Sequence, residues 1–225
     1  MTRTLRWYDA ISINIYYTGL MVIANTMTPL VAPLLVQAFV GVNQQGAYYG
    51  TLRLWSLMAA LLAQALMGLL SDRSTSRFGR RRPFIFVGTL LDLVFITLIG
   101  FSAGLQGLNG FWTLFFLLIL LQFSLNIGQG ALQGLIPDLV PEERRGLFSG
   151  VKALFEVPLA VILVSFTIGR MIAAGNLWLA LATAMVILDL TLLAKLRPST
   201  FCCIESMYSF MFDESCMRIS TELFW

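Results

Sequence analysis

Long apolar runs follow one another along the chain, parted by short stretches of glycine, proline and charge. They lie at about residues 11–40, 47–70, 84–104, 111–136, 147–170 and 175–196. Within each run the apolar residues are continuous, without the period-2 alternation of barrel strands, so the pattern predicts helices. A transmembrane helix takes about 20 apolar residues, and each run is long enough to cross. The first run follows Thr2-Arg3-Thr4-Leu5-Arg6, which imitates a signal peptide. It is too long for an h-region, lacks a small-residue cleavage site and leads into further spans, so a retained helix is expected.

Composition agrees with the pattern. Of 225 residues, 58% are apolar and only 12% are charged, with a mean hydropathy of +0.80. Soluble domains carry about 25% charged residues, so this chain cannot clothe a water-facing surface, and its solvent is expected to be lipid. The fold expected is an all-α integral membrane protein with six spans.

Charge then orients it. Arg3, Arg6, Arg73, Arg77, Arg80, Arg81, Arg82, Arg144, Arg145, Lys152, Lys195 and Arg197 fall on one side of the six spans, twelve of the fifteen basic residues. Arg53 and Arg170 fall on the other, and Arg218 lies in the tail. The positive-inside rule makes the arginine-rich side and both termini cytoplasmic, in a multi-pass protein of the cell membrane. The net charge of +3 thus reflects topology, and no nucleic-acid partner is expected.

Polar residues inside a membrane are costly and need a reason. Asn14, Thr18, Asn25 and Thr28 of the first run fall within a stripe of roughly 80° at about 100° per residue. Pro29 and Pro33 follow, and would free backbone carbonyls beside it. Gln122, Asn126, Gln129 and Gln133 of the fourth run share one face, with Gly128, Gly130 and Gly134 among them. Amides donate and accept at once. Two such walls fit a water-accessible cavity for an uncharged, hydroxyl-rich solute; the plainer alternative is helix-to-helix hydrogen bonding. Asp92, Glu156 and Asp189 lie about 10–15 Å from the cytoplasmic ends. A lone carboxylate at that depth is neutral or paired, which makes Glu156 and Asp92 candidates for proton coupling. Lys152, one turn before Glu156, offers the alternative of a simple ion pair.

The loop after the second run places Gly68 four residues before Asp72-Arg73, then Gly79 and the basic run Arg80-Arg81-Arg82 before Pro83. This order resembles the signature gate loop of the major facilitator superfamily. The longer form, Ser71-Asp72-Arg73 through Thr75-Ser76-Arg77-Phe78-Gly79 to Phe84-Ile85, looks like the sucrose-transporter-like branch of glycoside–cation symporters. Gln129-Gly130 with Leu135 and Asp138-Leu139 is similar to a run of that branch. Pro141-Glu142-Glu143-Arg144-Arg145-Gly146 resembles a second cytoplasmic loop found across the superfamily. The resemblance covers about residues 7–198. It implies the N-terminal six-helix half of a transporter, in which two halves rock about a midplane site lined by the first and fourth helices.

Two departures from that family stand out. Where the sucrose branch carries a protonatable acid and an arginine on its fourth helix, this chain has Gln122 and Gln133. An amide cannot cycle a proton, so coupling passes to Glu156 or Asp92, or transport is not proton-driven. The second departure is length, six helices where the superfamily has twelve. Residues 1–198 are expected to form the six-helix half. Residues 199–225 hold Cys202, Cys203 and Cys216 and four of the twelve acids without a long apolar run, and read as an out-of-frame or foreign ending.

The function expected is therefore transport of a small polar solute, a sugar or glycoside, with no cofactor beyond a coupling proton or cation. Its partners are the bilayer, the solute, and a missing C-terminal half or a second copy. The rivals are an efflux transporter for amphiphilic compounds, whose cavity would be richer in aromatics, and a non-transporting assembly protein or inert truncated product. With no histidine, no thiolate outside the tail and no phosphate-binding loop, neither an enzyme nor a metal site is expected.

Overall fold

The computed structural model describes residues 7–73, 82–133 and 145–196, and every element among them is helical. Six helices are long and apolar enough to cross a membrane, in the order the apolar runs predict, which makes this an all-α, multi-pass membrane protein. We number them α1 (Trp7–Thr26, continued through Met27–Val31 and Ala32–Val40), α2 (Gln45–Arg73), α3 (Arg82–Ser102), α4 (Gly107–Gln133), α5 (Arg145–Ala173) and α6 (Leu177–Leu196). The tail 199–225 lies outside the described residues.

The loops joining α1 to α2, α3 to α4 and α5 to α6 are short. Each turns through a glycine with positive φ, Gly41 (84°), Gly107 (67°) and Gly175 (79°), a conformation that glycine alone adopts without steric cost. At Gly175 the turn also satisfies the end of α5: the N–H of Gly175 donates to the Ile172 carbonyl and that of Asn176 to the Met171 carbonyl, both at 3.0 Å.

Packing is two-fold in pattern. α1 lies against α5 and α6, and α4 lies against α2 and α3. Exchanging the first three helices with the last three maps one set of contacts onto the other. Because the repeats are three spans long, they run in opposite directions through the membrane, the inverted arrangement of many transporters. Close packing uses glycine in both repeats. A Cβ on Gly88 of α3 would stand 3.0 Å from the Gly128 backbone nitrogen on α4. One on Gly19 of α1 would collide with the Thr191 side chain on α6. Small residues let helix backbones approach where lipid supplies no hydrophobic drive. The main core joins Tyr16, Leu20, Ile23 and Met27 of α1 to Ile96 of α3 and Leu114, Leu121 and Leu125 of α4.

Two helices are not regular. In α1, Pro33 has no N–H to offer, and the N–H of Ala32 reaches back to the Met27 carbonyl, widening Met27–Val31 into a π-helical turn. The Thr28 carbonyl loses its helical partner and accepts a hydrogen bond from the Tyr49 hydroxyl of α2 at 2.9 Å. Gln45 donates to the Pro33 carbonyl at 3.1 Å. The expectation that these prolines free carbonyls is met. α5, expected as one continuous helix, breaks between Glu156 and Pro158 and carries a second wide turn at Val164–Ile168. Its cause at the break is again proline, which cannot donate to the residue one turn earlier.

Candidate functional site

α1 and α4 are the most enclosed helices, with 56% and 50% of their apolar windows buried, against 17% for α2 and for α5. The amide residues lie on these two helices, and their environments differ.

On α1, Asn14 is fully buried, and its Nδ2 donates to the Phe148 carbonyl of α5 at 3.4 Å. Thr18 donates to the Phe155 carbonyl at 3.0 Å. These two residues tie α1 to α5. Asn25 is half-buried and donates to its own helix at Met21, 2.9 Å away. On α4, Asn126 is buried and donates to the Gln122 carbonyl at 2.7 Å. Gln133 is exposed and accepts from Gln64 of α2 at 3.1 Å. The side-chain amides of Gln122 and Gln129 are half-buried and make no hydrogen bond among the described residues. They stand seven residues apart on one face of α4, and they are the amides left with donors and acceptors to spend.

The α4 face continues beyond Gln122 without a change of flank. Phe115, Ile119, Gln122, Asn126, Gln129 and Gln133 follow at steps of four and three. Phe115 and Ile119, with Trp112 and with Tyr48 and Trp55 of α2, wall a groove of about 650 Å³ at the Gly41–Gln45 end of the helices. The face thus grades from aromatic to amide along its length. Composition alone did not single out this aromatic half; the regular spacing up to Phe115 carried the signal.

The two carboxylates differ as sharply. Glu156 pairs with Lys152, Nζ to Oε2 at 3.7 Å, as the one-turn spacing suggested. Lys152 also lies 4.6 Å from the centre of the Tyr17 ring on α1. The pair stands at the break in α5 just before Pro158. Asp92 of α3 is fully buried, and among the described residues neither carboxyl oxygen has a hydrogen-bond partner. Its neighbours are hydroxyl-bearing: Thr89 one turn earlier, Tyr16 of α1 bonded to Thr89 Oγ1 at 2.5 Å, and Ser124 of α4. The sequence reading missed Thr89 and Ser124, because single hydroxyls inside apolar runs carry no periodic signal. Asp189 is half-buried.

Of the gate-loop residues, Gly68, Asp72 and Arg73 belong to the last helical turns of α2 and not to a loop, a correction to the expected end of that helix near residue 70. The helix persists because no proline or glycine interrupts it between Leu69 and Arg73. Gly79, Arg80 and Arg81 lie outside the described residues, as do Asp138 and Arg144 of the second loop. Arg145 and Gly146 open α5. The two resembling segments meet in space: a Cβ on Gly130 of α4 would stand 3.6 Å from the Gly68 backbone nitrogen.

No protein-family model matches the chain. It is similar to sucrose transport protein SUC3 of Arabidopsis thaliana, 30% identical over 121 residues, covering 44% of this chain and 19% of that protein. Sucrose transport protein SUT1 of Oryza sativa subsp. japonica is 35% identical over 105 residues, covering 36% and 18%. Sucrose transport protein SUT5 of Oryza sativa subsp. indica is 48% identical over 46 residues, covering 20% and 9%. The matched part of the chain thus spans less than a fifth of each of these relatives. Parts of the chain are thus similar to plant sucrose transport proteins, and its six apolar helices are consistent with one half of a major facilitator fold.

Proposed function

We propose that this chain is the N-terminal six-helix half of a secondary transporter that moves a small polar solute, a sugar or glycoside, by alternating access. The observation that carries the reading is the pair of half-buried amides, Gln122 and Gln129, on one face of an enclosed helix, whose side chains have no hydrogen-bond partner among the described residues. Unspent amides inside a membrane protein are costly unless water or a solute meets them. A hydroxyl-rich solute matches both their donors and their acceptors. The relatives' names point to the same substrate class.

The thinly covered faces of α2 and α5 are where a second six-helix half, or a second copy, would dock and close the cavity. The N-terminus is cytoplasmic in this reading, in the cell membrane, with no metal and no cofactor beyond a coupling proton or cation. Glu156 and Asp92 are the acids available for coupling, since the Gln122 amide does not take up and release a proton by ionising. The test is uptake of labelled disaccharide into proteoliposomes by this chain and by the chain joined to a C-terminal half. Uptake by the joined form supports the reading; uptake by neither form sinks it.

A second reading, an efflux transporter for amphiphilic compounds, draws on the aromatic groove between α2 and α4. Efflux of a fluorescent amphiphile that disaccharide does not compete with would favour it.

A further inference from the structure

At the junction of α1, α3 and α4 the helices approach closely. Gly88 and Gly128 bring α3 and α4 into backbone contact, and a Cβ on Gly128 would stand 3.4 Å from the Tyr16 hydroxyl of α1. Into this closure the sequence puts a carboxyl group, Asp92, with no exposed surface. Among the described residues no lysine or arginine pairs with it, and neither oxygen has a hydrogen-bond partner.

A count of hydroxyl hydrogens identifies what the site is built to hold. Ser124 has one hydrogen, and donates it to the Gly88 carbonyl at 3.0 Å. Thr89 has one, and donates it to the Ile85 carbonyl at 2.8 Å. Tyr16 is therefore the donor in its bond to Thr89. Each of these three hydroxyls is thus committed as a donor elsewhere, and what Ser124 and Thr89 still offer is acceptor lone pairs. An ionised carboxylate needs donors, and an uncompensated charge in such a place is very costly. A carboxylic acid brings its own donor, and Ser124 stands beside it without a well-formed hydrogen bond. Tyr16, from α1, is the titratable side chain that faces Asp92; from α4 it meets the uncharged Ser124.

We propose that Asp92 stores a proton at the α1–α3–α4 junction, and that Tyr16, held on Thr89, is the seal that α1 must withdraw to release it. On release the carboxyl O–H bond breaks, the proton passes to an entering water, and the electron pair stays on Asp92 as carboxylate. The proposal rests on the reading of Asp92 as a coupling acid, and assigns it where the proton sits and what guards it.

The experiment is infrared difference spectroscopy of the purified full chain in lipid nanodiscs at neutral pH, wild type minus Asp92→Asn, with no substrate added. A neutral-carboxylic-acid carbonyl band that Asp92→Asn removes is expected. Tyr16→Phe, which frees Thr89 from its seal, is expected to speed the deuterium shift of that band at least tenfold. If Asp92→Asn does not fold, Ser124→Ala serves, because removing the hydroxyl beside the acid changes its surroundings and shifts the band. No band, or exchange unaltered by Tyr16→Phe, overturns the proposal. So does a band abolished by sodium ions at constant pH, which makes the site one for a metal cation. The measurement needs no transport, so absent sugar uptake alongside an intact band would count against the function above and leave the proton site standing.

Discussion

Ser124 of α4 donates its hydroxyl hydrogen to the Gly88 carbonyl of α3 at 3.0 Å, across the place where a Cβ on Gly88 would press on Gly128. One side chain thus bonds to the backbone at the point where two helices are too close for any side chain on the facing residue. A backbone already bonded within its own helix accepts the extra hydrogen, so the serine's donor is satisfied inside the membrane.

Gly88→Ala is therefore expected to destabilise. The added methyl meets the Gly128 backbone nitrogen at 3.0 Å and its Cα at 3.4 Å, and backbone cannot rotate away. Overpacking of this kind costs about 1–3 kcal/mol. Gly50→Ala on α2, where nothing lies within 4 Å, is the control and should match the wild type. Thermal unfolding in detergent measures both.

Tyr49→Phe should cost about 1 kcal/mol, the net worth of a typical hydrogen bond, here to a half-buried acceptor. The Thr28 carbonyl has lost its helical N–H at the π-turn and takes the Tyr49 hydroxyl in its place. The same experiment reads the loss. If Tyr49→Phe is neutral, α1 can close the turn by itself.

Lys152→Met removes both the ion pair to Glu156 and the contact with the Tyr17 ring. Glu156→Gln alone removes only the first. A double-mutant cycle is expected to return about 1 kcal/mol of coupling between Lys152 and Glu156, with a further loss in Lys152→Met that Tyr17→Leu abolishes.

Thr18→Val and Gln129→Leu should separate structure from solute binding. Thr18 spends its hydroxyl on the Phe155 carbonyl, so its loss is expected to cost about 0.6 kcal/mol, a typical interhelical bond in a membrane. KM for solute should stay unchanged. The Gln129 side chain makes no hydrogen bond among the described residues, so Gln129→Leu should leave stability unchanged and raise KM about tenfold. Paired unfolding and uptake curves check both.

The helices were legible because a membrane span has a strong, local signature: about 20 apolar residues bounded by glycine, proline and charge. The prolines of α1 also gave away its irregularity, since Pro33 removes a donor wherever it sits in a helix. In α5 Pro158 removes a donor in the same way, and the break falls just before it, after Glu156. The amide stripes were legible as faces. Their partners were not: whether Asn14 meets α5 or a cavity depends on which helix lies opposite, and a helix's own sequence does not contain that. The surroundings of Asp92 were hidden for the same reason, because Tyr16, Thr89 and Ser124 come from three helices.

The most direct measurement of the central claim is uptake of labelled disaccharide into proteoliposomes by the chain joined to a C-terminal half, wild type beside a Gln122→Leu, Gln129→Leu double variant. The account predicts uptake in the wild type, a loss of tenfold or more in the variant, and the same thermal midpoint in both. Equal uptake in both forms would contradict it.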